Sequence, residues 1–252
     1  SDGVHHEDYL NHVLRSAKDL SSNSDELTDS ARDWTSEYHL SKKRAQLFSG
    51  FDFDRSSSVL EVGCGCGAIS RYLGETFEEV VSVEGTFERA KLARLRTRGL
   101  ENVHILNAPF QDMDFIKKFD IIICVGVFEY SSAFIEADNP HNSALSYFSS
   151  LLNPGGSLLI AIENQFGLKY FSSGKEDHTN VMFDGIEGYP RFPDKARTFG
   201  KIEITNRIKN HFEDVDFYFP YPDYKIPSLI LSEDIFSKAK VAELISNFHS
   251  PR

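Results

Sequence analysis

The sequence predicts an α/β fold, a mainly parallel sheet with helices on both of its faces. Three observations predict it. Short apolar runs of strand length alternate with amphipathic runs of helix length between residues 58 and 162, which is the pattern of successive βα units. The first apolar run, Val59-Leu60-Glu61-Val62, enters a turn with glycines at alternate positions, Gly63, Gly65 and Gly67, before a helix. That strand, turn and helix order makes a nucleotide cradle. The chain has 252 residues, 40% of them hydrophobic, which suits one α/β domain with additions.

Each element follows from its local pattern. Tyr9, Leu10, Val13, Leu14, Ala17 and Leu20 recur at three- and four-residue steps, so a helix is expected over 4–20. A polar break spans Ser21 to Asp29; Asp33-Trp34-Thr35-Ser36-Glu37-Tyr38-His39-Leu40 and a short helix to about Phe48 follow. Residues 1–50 thus read as an N-terminal helical cap before a core over 51–232. In the core, strands are expected at 59–62, 80–83, 103–106, 119–125 and 157–162, and helices at 68–74, 87–98 and 142–152. Helix 87–98 carries Arg89, Lys91, Arg94, Arg96 and Arg98, read as a solvated face in preference to an anion patch. The stretch 163–200 is too long for a tight connection and reads as an insert over the active site. A helix at 201–211, a strand at 215–219, a proline-punctuated turn over 220–227 and an antiparallel last strand at 228–231 complete a seven-stranded sheet. A C-terminal helix is expected within 233–252.

The chemistry of the first turn is set by what surrounds the glycines. They leave no side chain in the way of a ligand. Glu61 puts a carboxylate beside the turn, which suits a cationic amine better than a pyrophosphate. Glu84 closes the second strand and can accept hydrogen bonds from two ribose hydroxyls. Dinucleotide sites use the same device, and Gly63-x-Gly65-x-x-Ala68 also fits their fingerprint, so these features alone leave an NAD-type site open.

The run Val59 to Gly67 resembles motif I of the class I S-adenosylmethionine (SAM)-dependent methyltransferases, which have a Rossmann-like fold. Val80-Val81-Ser82-Val83-Glu84, Val103-His104-Ile105-Leu106, Phe119-Asp120-Ile121-Ile122-Ile123-Cys124-Val125 and Leu151-Leu152-Asn153-Pro154-Gly155-Gly156-Ser157-Leu158-Leu159-Ile160 resemble its later elements in order. The resemblance implies SAM as cofactor. Glu61 would face the methionine amine, with Gly63, Cys64, Gly65 and Gly67 alongside. Glu84 and Gly85 would meet the ribose. Phe110 would lie on the adenine, Gln111 or Asp112 would meet its exocyclic amine, and Val125 would line the site. Tyr38 would close over it from the N-terminal side.

Further stretches, Trp34-x-x-Glu37-Tyr38-His39-Leu40, Gly126-Val127-Phe128-Glu129-Tyr130, Ala161 to Tyr170, Glu176-Asp177-His178-Thr179 and Tyr221 to Pro227, resemble a methyltransferase subgroup of bacterial surface-polysaccharide biosynthesis proteins. That resemblance implies O-methylation of a saccharide or a lipid-linked glycan precursor. The alternatives are methylation of another small metabolite, or a SAM-binding module without turnover within a larger polysaccharide-assembly protein. The acceptor is a small molecule or glycan in the enzyme readings, and the chain reads as compatible with one domain of a longer protein.

A methyl on a sulfonium is already activated, so the protein mainly aligns the reactants and excludes water. A hydroxyl acceptor still needs a base. His178 is the first candidate because its ordinary pKa lies near neutrality; Glu129 and Glu163, which follow the fourth and fifth strands, are its rivals. Asn164, Lys169, Tyr170 and Tyr130 are the candidate substrate contacts.

The formal net charge of −11 argues against a general nucleic-acid binder. The apolar runs are strand-sized, so no transmembrane helix is expected. Cys64, Cys66 and Cys124 read as small residues in tight places; no Cys/His partners stand at zinc-ligand spacing, so no metal is expected. Free thiols and the lack of a leader pattern lead to an expected cytoplasmic location.

Overall fold

The computed structural model describes residues 4–233 and Ile235; the expected C-terminal helix lies outside them. In chain order the elements are α1 (Val4–Ser16), α2 (Asp25–Asp29), α3 (Trp34–Leu40), β1 (Ser58–Val62), α4 (Ala68–Thr76), β2 (Glu79–Glu84), α5 (Phe87–Arg96), β3 (Val103–Asn107) and β4 (Phe119–Val125). Then come α6 (Ser131–Phe134), α7 (Pro140–Leu151), β5 (Leu152–Ala161), α8 (Leu168–Phe171), α9 (Lys201–Ile208), β6 (Tyr218–Tyr221) and β7 (Leu229–Ser232). The strands form a five-stranded parallel sheet, β1 to β5, and a separate two-stranded one. The chain divides into two compact units, one of residues up to Ala108 with those from Asp216 onward, the other Pro109–Val215.

In the first unit β2 pairs in parallel with β1 on one side and β3 on the other. Four of the five residues of β1 and five of the six of β2 are buried, as expected of parallel strands covered on both faces. The stripe Leu10, Val13, Leu14, Ala17 and Leu20 packs with Leu27, Leu40, Cys66 and Leu92 into one apolar cluster, each large side chain contributing roughly 1.5–3 kcal/mol. The helix α1 ends at Ser16, not at residue 20. Beyond it the Glu26 carboxylate accepts from the backbone N–H groups of Lys18 and Asp19, which draws the chain out of the helical path.

The expected solvated basic face holds for Lys91, Arg94 and Arg98, which are exposed, and fails for Arg96, which is buried. Arg98 donates to the carbonyls of Leu14 at 2.9 Å and Ala17 at 2.6 Å, satisfying carbonyls that the end of α1 leaves open. Arg96 is 2% exposed and donates to the Ser21 carbonyl. Burial lowers its pKa to about 10, so it remains charged at neutral pH.

The expectation of seven strands in one sheet is also corrected. Among the described residues β6 and β7 pair only with each other, antiparallel, with Phe219 opposite Leu231. Pro220 stands inside β6 and has no N–H for a ladder, so a central place in a larger sheet is closed to it.

In the second unit β4 and β5 pair in parallel, with a register shift between Phe119 and Ile121. β5 begins at Leu152, five residues before the expected start, because the Asn153-Pro154-Gly155-Gly156 turn joins it. Asn153 donates to Asp120 across this irregularity at 2.8 Å. α7 starts with Pro140 behind an Asn139 cap, a favourable helix opening. The 163–200 stretch carries little regular structure beyond α8 and is tied by the bridges Asn164–Phe199 and Lys175–Met182.

Candidate active site

The first unit holds the glycine turn. Gly63, Gly65 and Gly67 all have positive φ, 74°, 55° and 84°. The last two serve different ends. A side-chain carbon at Gly67 would lie 2.6 Å from the Ala93 Cα, so this glycine lets α5 pack close. A side-chain carbon at Gly65, or at Gly85 after β2, would meet nothing within 4 Å. Open space therefore lies beside Gly65 and beside Gly85.

The turn is held by its own backbone. The Gly63 and Cys64 N–H groups both donate to the Val83 carbonyl, and Gly67 N–H to the Cys64 carbonyl. Glu84 accepts from Gly65 N–H and from Thr86 N–H, each at 2.9 Å. Glu61 lies beneath, 3% exposed. One of its oxygens accepts from both Ser70 Oγ at 2.6 Å and Ser82 Oγ at 2.7 Å. Burial raises the Glu61 pKa to about 7 against the pull of the two hydroxyls and the Arg44 charge. The two serines were not anticipated. The signal was present, since Ser82 is the one polar residue between Val80 and Val83.

Tyr38, in α3, carries the Arg44 guanidinium 4.2 Å over its ring, and Arg44 also donates to the Lys225 carbonyl. His39 is buried with its Nε2 3.9 Å from Cys66 Sγ. Cys64, Cys66 and Cys124 are buried thiols outside any disulfide, and burial raises the thiol pKa of Cys64 and of Cys124.

The second unit contains Phe110, Gln111 and Val125. Phe110 opens a 3-10 turn, Phe110–Asp112, with its ring 5.8 Å from that of Phe148. Gln111 is partly buried, and Val125 is buried at the end of β4.

The same unit gathers all three candidate catalytic residues. Glu129 follows β4 in the 3-10 turn Phe128–Tyr130, and Glu163 follows β5, so both stand at carboxyl ends of parallel strands, where α/β sheets bind ligands. His178 Nε2 lies 3.6 Å from an oxygen of each. Its Nδ1 is 2.8 Å from Glu176 Oε1. Glu176 is itself fixed by the N–H groups of His178 and Thr179, at 2.7 and 2.6 Å, and by the Tyr189 hydroxyl. Burial disfavours the imidazolium, but Glu129, Glu176 and Glu163 outweigh it and raise the His178 pKa to about 10. Burial raises the pKa of Glu129, with the neighbouring Glu163 charge adding to it and His178 opposing. Burial also works against ionised Glu176, yet His178 and the Thr179 N–H win and lower its pKa.

The candidate substrate residues surround this cluster unevenly. The Tyr130 ring meets His178 edge-on at 5.3 Å. Tyr170 is buried and donates to Asp177, which also holds Lys169, each at 2.5 Å. Asn164 turns its side chain back to accept from Phe166 N–H. Tyr189 and Thr198, joined at 2.5 Å behind Glu176, were not anticipated; nothing in their spacing pointed to them.

A family model described as "Methyltransferase domain" matches residues 60–160. Among curated proteins, the chain is 37% identical over 73 residues to the cyclopropane-fatty-acyl-phospholipid synthase of Escherichia coli K12, covering 29% of this chain and 18% of the synthase. It is 41% identical over 64 residues to the protein-L-isoaspartate O-methyltransferase of Helicobacter pylori P12, covering 24% of this chain and 30% of that enzyme. The chain thus spans less than a third of either relative's length. Among solved structures, the N-methyltransferase NodS from Bradyrhizobium japonicum WM9, in complex with S-adenosyl-L-homocysteine, superposes with a TM-score of 0.52 at 15% identity, over 90% of this chain and 96% of that one; it shares the fold. Residues 60–160 thus match a methyltransferase domain, which supports SAM as the cofactor.

Proposed function

We propose that this protein transfers the methyl group of SAM to a hydroxyl of a saccharide or a lipid-linked glycan precursor. The observation that carries the choice of oxygen is the convergence of Glu129 and Glu163 on His178. An attacking hydroxyl must lose its proton, and a buried titratable cluster serves that need. The glycan class is supported by the subgroup motifs from Trp34 to Pro227. The relatives' names cover a phospholipid, a protein residue and an N-methylation, so they leave the acceptor open. The work would take place in the cytoplasm.

In this reading Glu61 balances the methionine amine, Glu84 exchanges its Gly65 contact for the ribose hydroxyls, and the open space beside Gly65 and Gly85 admits the nucleoside. Phe110 lies against the adenine, Gln111 meets its amine, and Tyr38 covers the site. The hydroxyl oxygen attacks the methyl carbon in line as the carbon–sulfur bond breaks, and the proton passes to a carboxylate of the cluster. A charged imidazolium cannot accept it, so His178 orients the carboxylates and Glu129, with its raised pKa, is the base. Tyr130, Tyr170, Lys169 and Asn164 contact the acceptor.

The experiment is transfer of labelled methyl from SAM to a panel of nucleotide sugars and polysaccharide extracts. Label in a base-stable saccharide ether is the expected product. SAM binding without transfer to any saccharide, together with transfer to a non-glycan metabolite, would overturn the acceptor class.

A further inference from the structure

The geometry points to a divalent metal site formed by Glu129, Glu163 and His178, for a first-row transition ion such as Mn²⁺ or Zn²⁺. One ligand atom from each residue lies within 4.8 Å of the others. The two distances from His178 Nε2, 3.6 Å each, are too long for hydrogen bonds. They are close to the roughly 3.4 Å that separates two ligands set about 2.1 Å from one ion at a tetrahedral angle. The imidazole is already oriented as a ligand. Its Nδ1 is held by Glu176 at 2.8 Å, which leaves Nε2 facing the carboxylates, the carboxylate–histidine–metal arrangement in which an outer acid fixes ring and tautomer.

A second observation points the same way. Glu129 is 1% exposed and its Oε2 has no hydrogen-bond partner. It is the second oxygen of the carboxylate whose Oε1 faces His178; a buried carboxylate oxygen left open is costly, and a cation held by both oxygens satisfies it. The ion takes the place of the proton that His178 Nε2 carries without it, and two carboxylates with the then neutral imidazole balance a 2+ charge. Oxygen ligands with imidazole and no thiolate suit Mn²⁺, Fe²⁺ or Zn²⁺ better than copper(I), and the imidazole argues for these over Ca²⁺ or Mg²⁺. Three protein ligands leave positions for an oxygen of another molecule, and an ion there lowers the pKa of a bound hydroxyl. In that respect the inference rests on the methyl-transfer reading and supplies its activation step, but binding is measured without SAM or acceptor, so the two fail separately.

The test is titration of the full chain, freed of metal by chelation, with MnCl₂ followed by electron paramagnetic resonance, and with ZnCl₂ by calorimetry. One ion per chain is expected. Glu129→Gln and His178→Ala should each weaken binding by at least tenfold, and Glu176→Gln, which touches only the outer side of the ring, by about 10–100-fold. Near-ultraviolet circular dichroism reports whether each variant is folded; should His178→Ala unfold, the isosteric Glu129→Gln decides. No stoichiometric ion, or one whose affinity a folded Glu129→Gln leaves unchanged, would overturn the site. The second result assigns binding elsewhere, for example to His5 and His6.

Discussion

Glu61 and Ser82 are register partners on adjacent parallel strands, and the serine hydroxyl donates to the buried carboxylate at 2.7 Å. With Ser70 on the other side, the acid is held in place beneath the glycine turn. Preorganisation of this kind limits what must be ordered on binding.

The Glu61 pKa near 7 makes a prediction with a defined sign. Burial is the main cause, so the folded protein holds a proton here that the unfolded chain releases near 4.5. Stability falls as pH rises from about 4.5 to about 7, because the charge becomes the unfavourable form in the folded state. A cationic amine reverses that preference. Affinity for SAM should therefore increase between pH 6 and pH 7.5, measured by calorimetry. Glu61→Gln should flatten this profile and weaken binding by about 1–3 kcal/mol.

Gly65→Ala and Gly67→Ala should separate ligand space from packing. Alanine at Gly67 meets Ala93 at 2.6 Å between backbone-anchored atoms and also needs a φ of 84°. A fall in melting temperature equivalent to 3 kcal/mol or more is expected from overpacking and strain together. Alanine at Gly65 meets no atom. It should cost about 1 kcal/mol in stability and at least tenfold in SAM affinity. Equal thermal shifts in the two variants would count against this division.

The parts of the fold and site that the sequence revealed are those with local signals. β1 to β4 were recognisable because each is a short run dominated by apolar residues, and the Glu61, glycine and Glu84 series because its spacing is fixed by one turn. The meeting of Glu129, Glu163 and His178 followed from a rule about strand ends and from motif resemblance, not from contact information. What escaped was non-local. The C-terminal end of α1 is set by Glu26 and Arg98, the latter 84 positions from Leu14. The separation of β6 and β7 depends on a proline whose missing donor matters only once neighbours are known. Glu176 stands two residues before His178 in the sequence, but its hold on the ring needs the tight turn that brings the His178 and Thr179 N–H groups and His178 Nδ1 to one carboxylate.

Arg98→Ala offers a stability test remote from the turn. It removes two charged hydrogen bonds to carbonyls beyond the start of the last turn of α1. A loss of roughly 2–4 kcal/mol is expected by urea denaturation, since each charged bond contributes about 1.5–3 kcal/mol and partial solvation offsets some of it. SAM affinity at saturating folded protein should stay within twofold, because the residue touches none of the turn.

Glu129→Gln and Glu163→Gln test how work is shared in the cluster. Glu129 is the more buried of the two and its pKa is raised, which brings it nearer to the pH at which a base works best. If it takes the acceptor's proton, Glu129→Gln should lower the turnover of methyl transfer by about 10²–10⁴-fold, with SAM affinity unchanged. Glutamine keeps the volume and can still hydrogen-bond, so loss of turnover without loss of folding isolates the charge. Glu163→Gln should produce a smaller fall, because Glu129 would then ionise more readily beside one fewer negative charge. The order of the two effects is the discriminating measurement in single-turnover kinetics with labelled SAM. A larger loss from Glu163→Gln would move the base to the end of β5, and equal, modest losses would mean that the cluster orients the acceptor without receiving its proton.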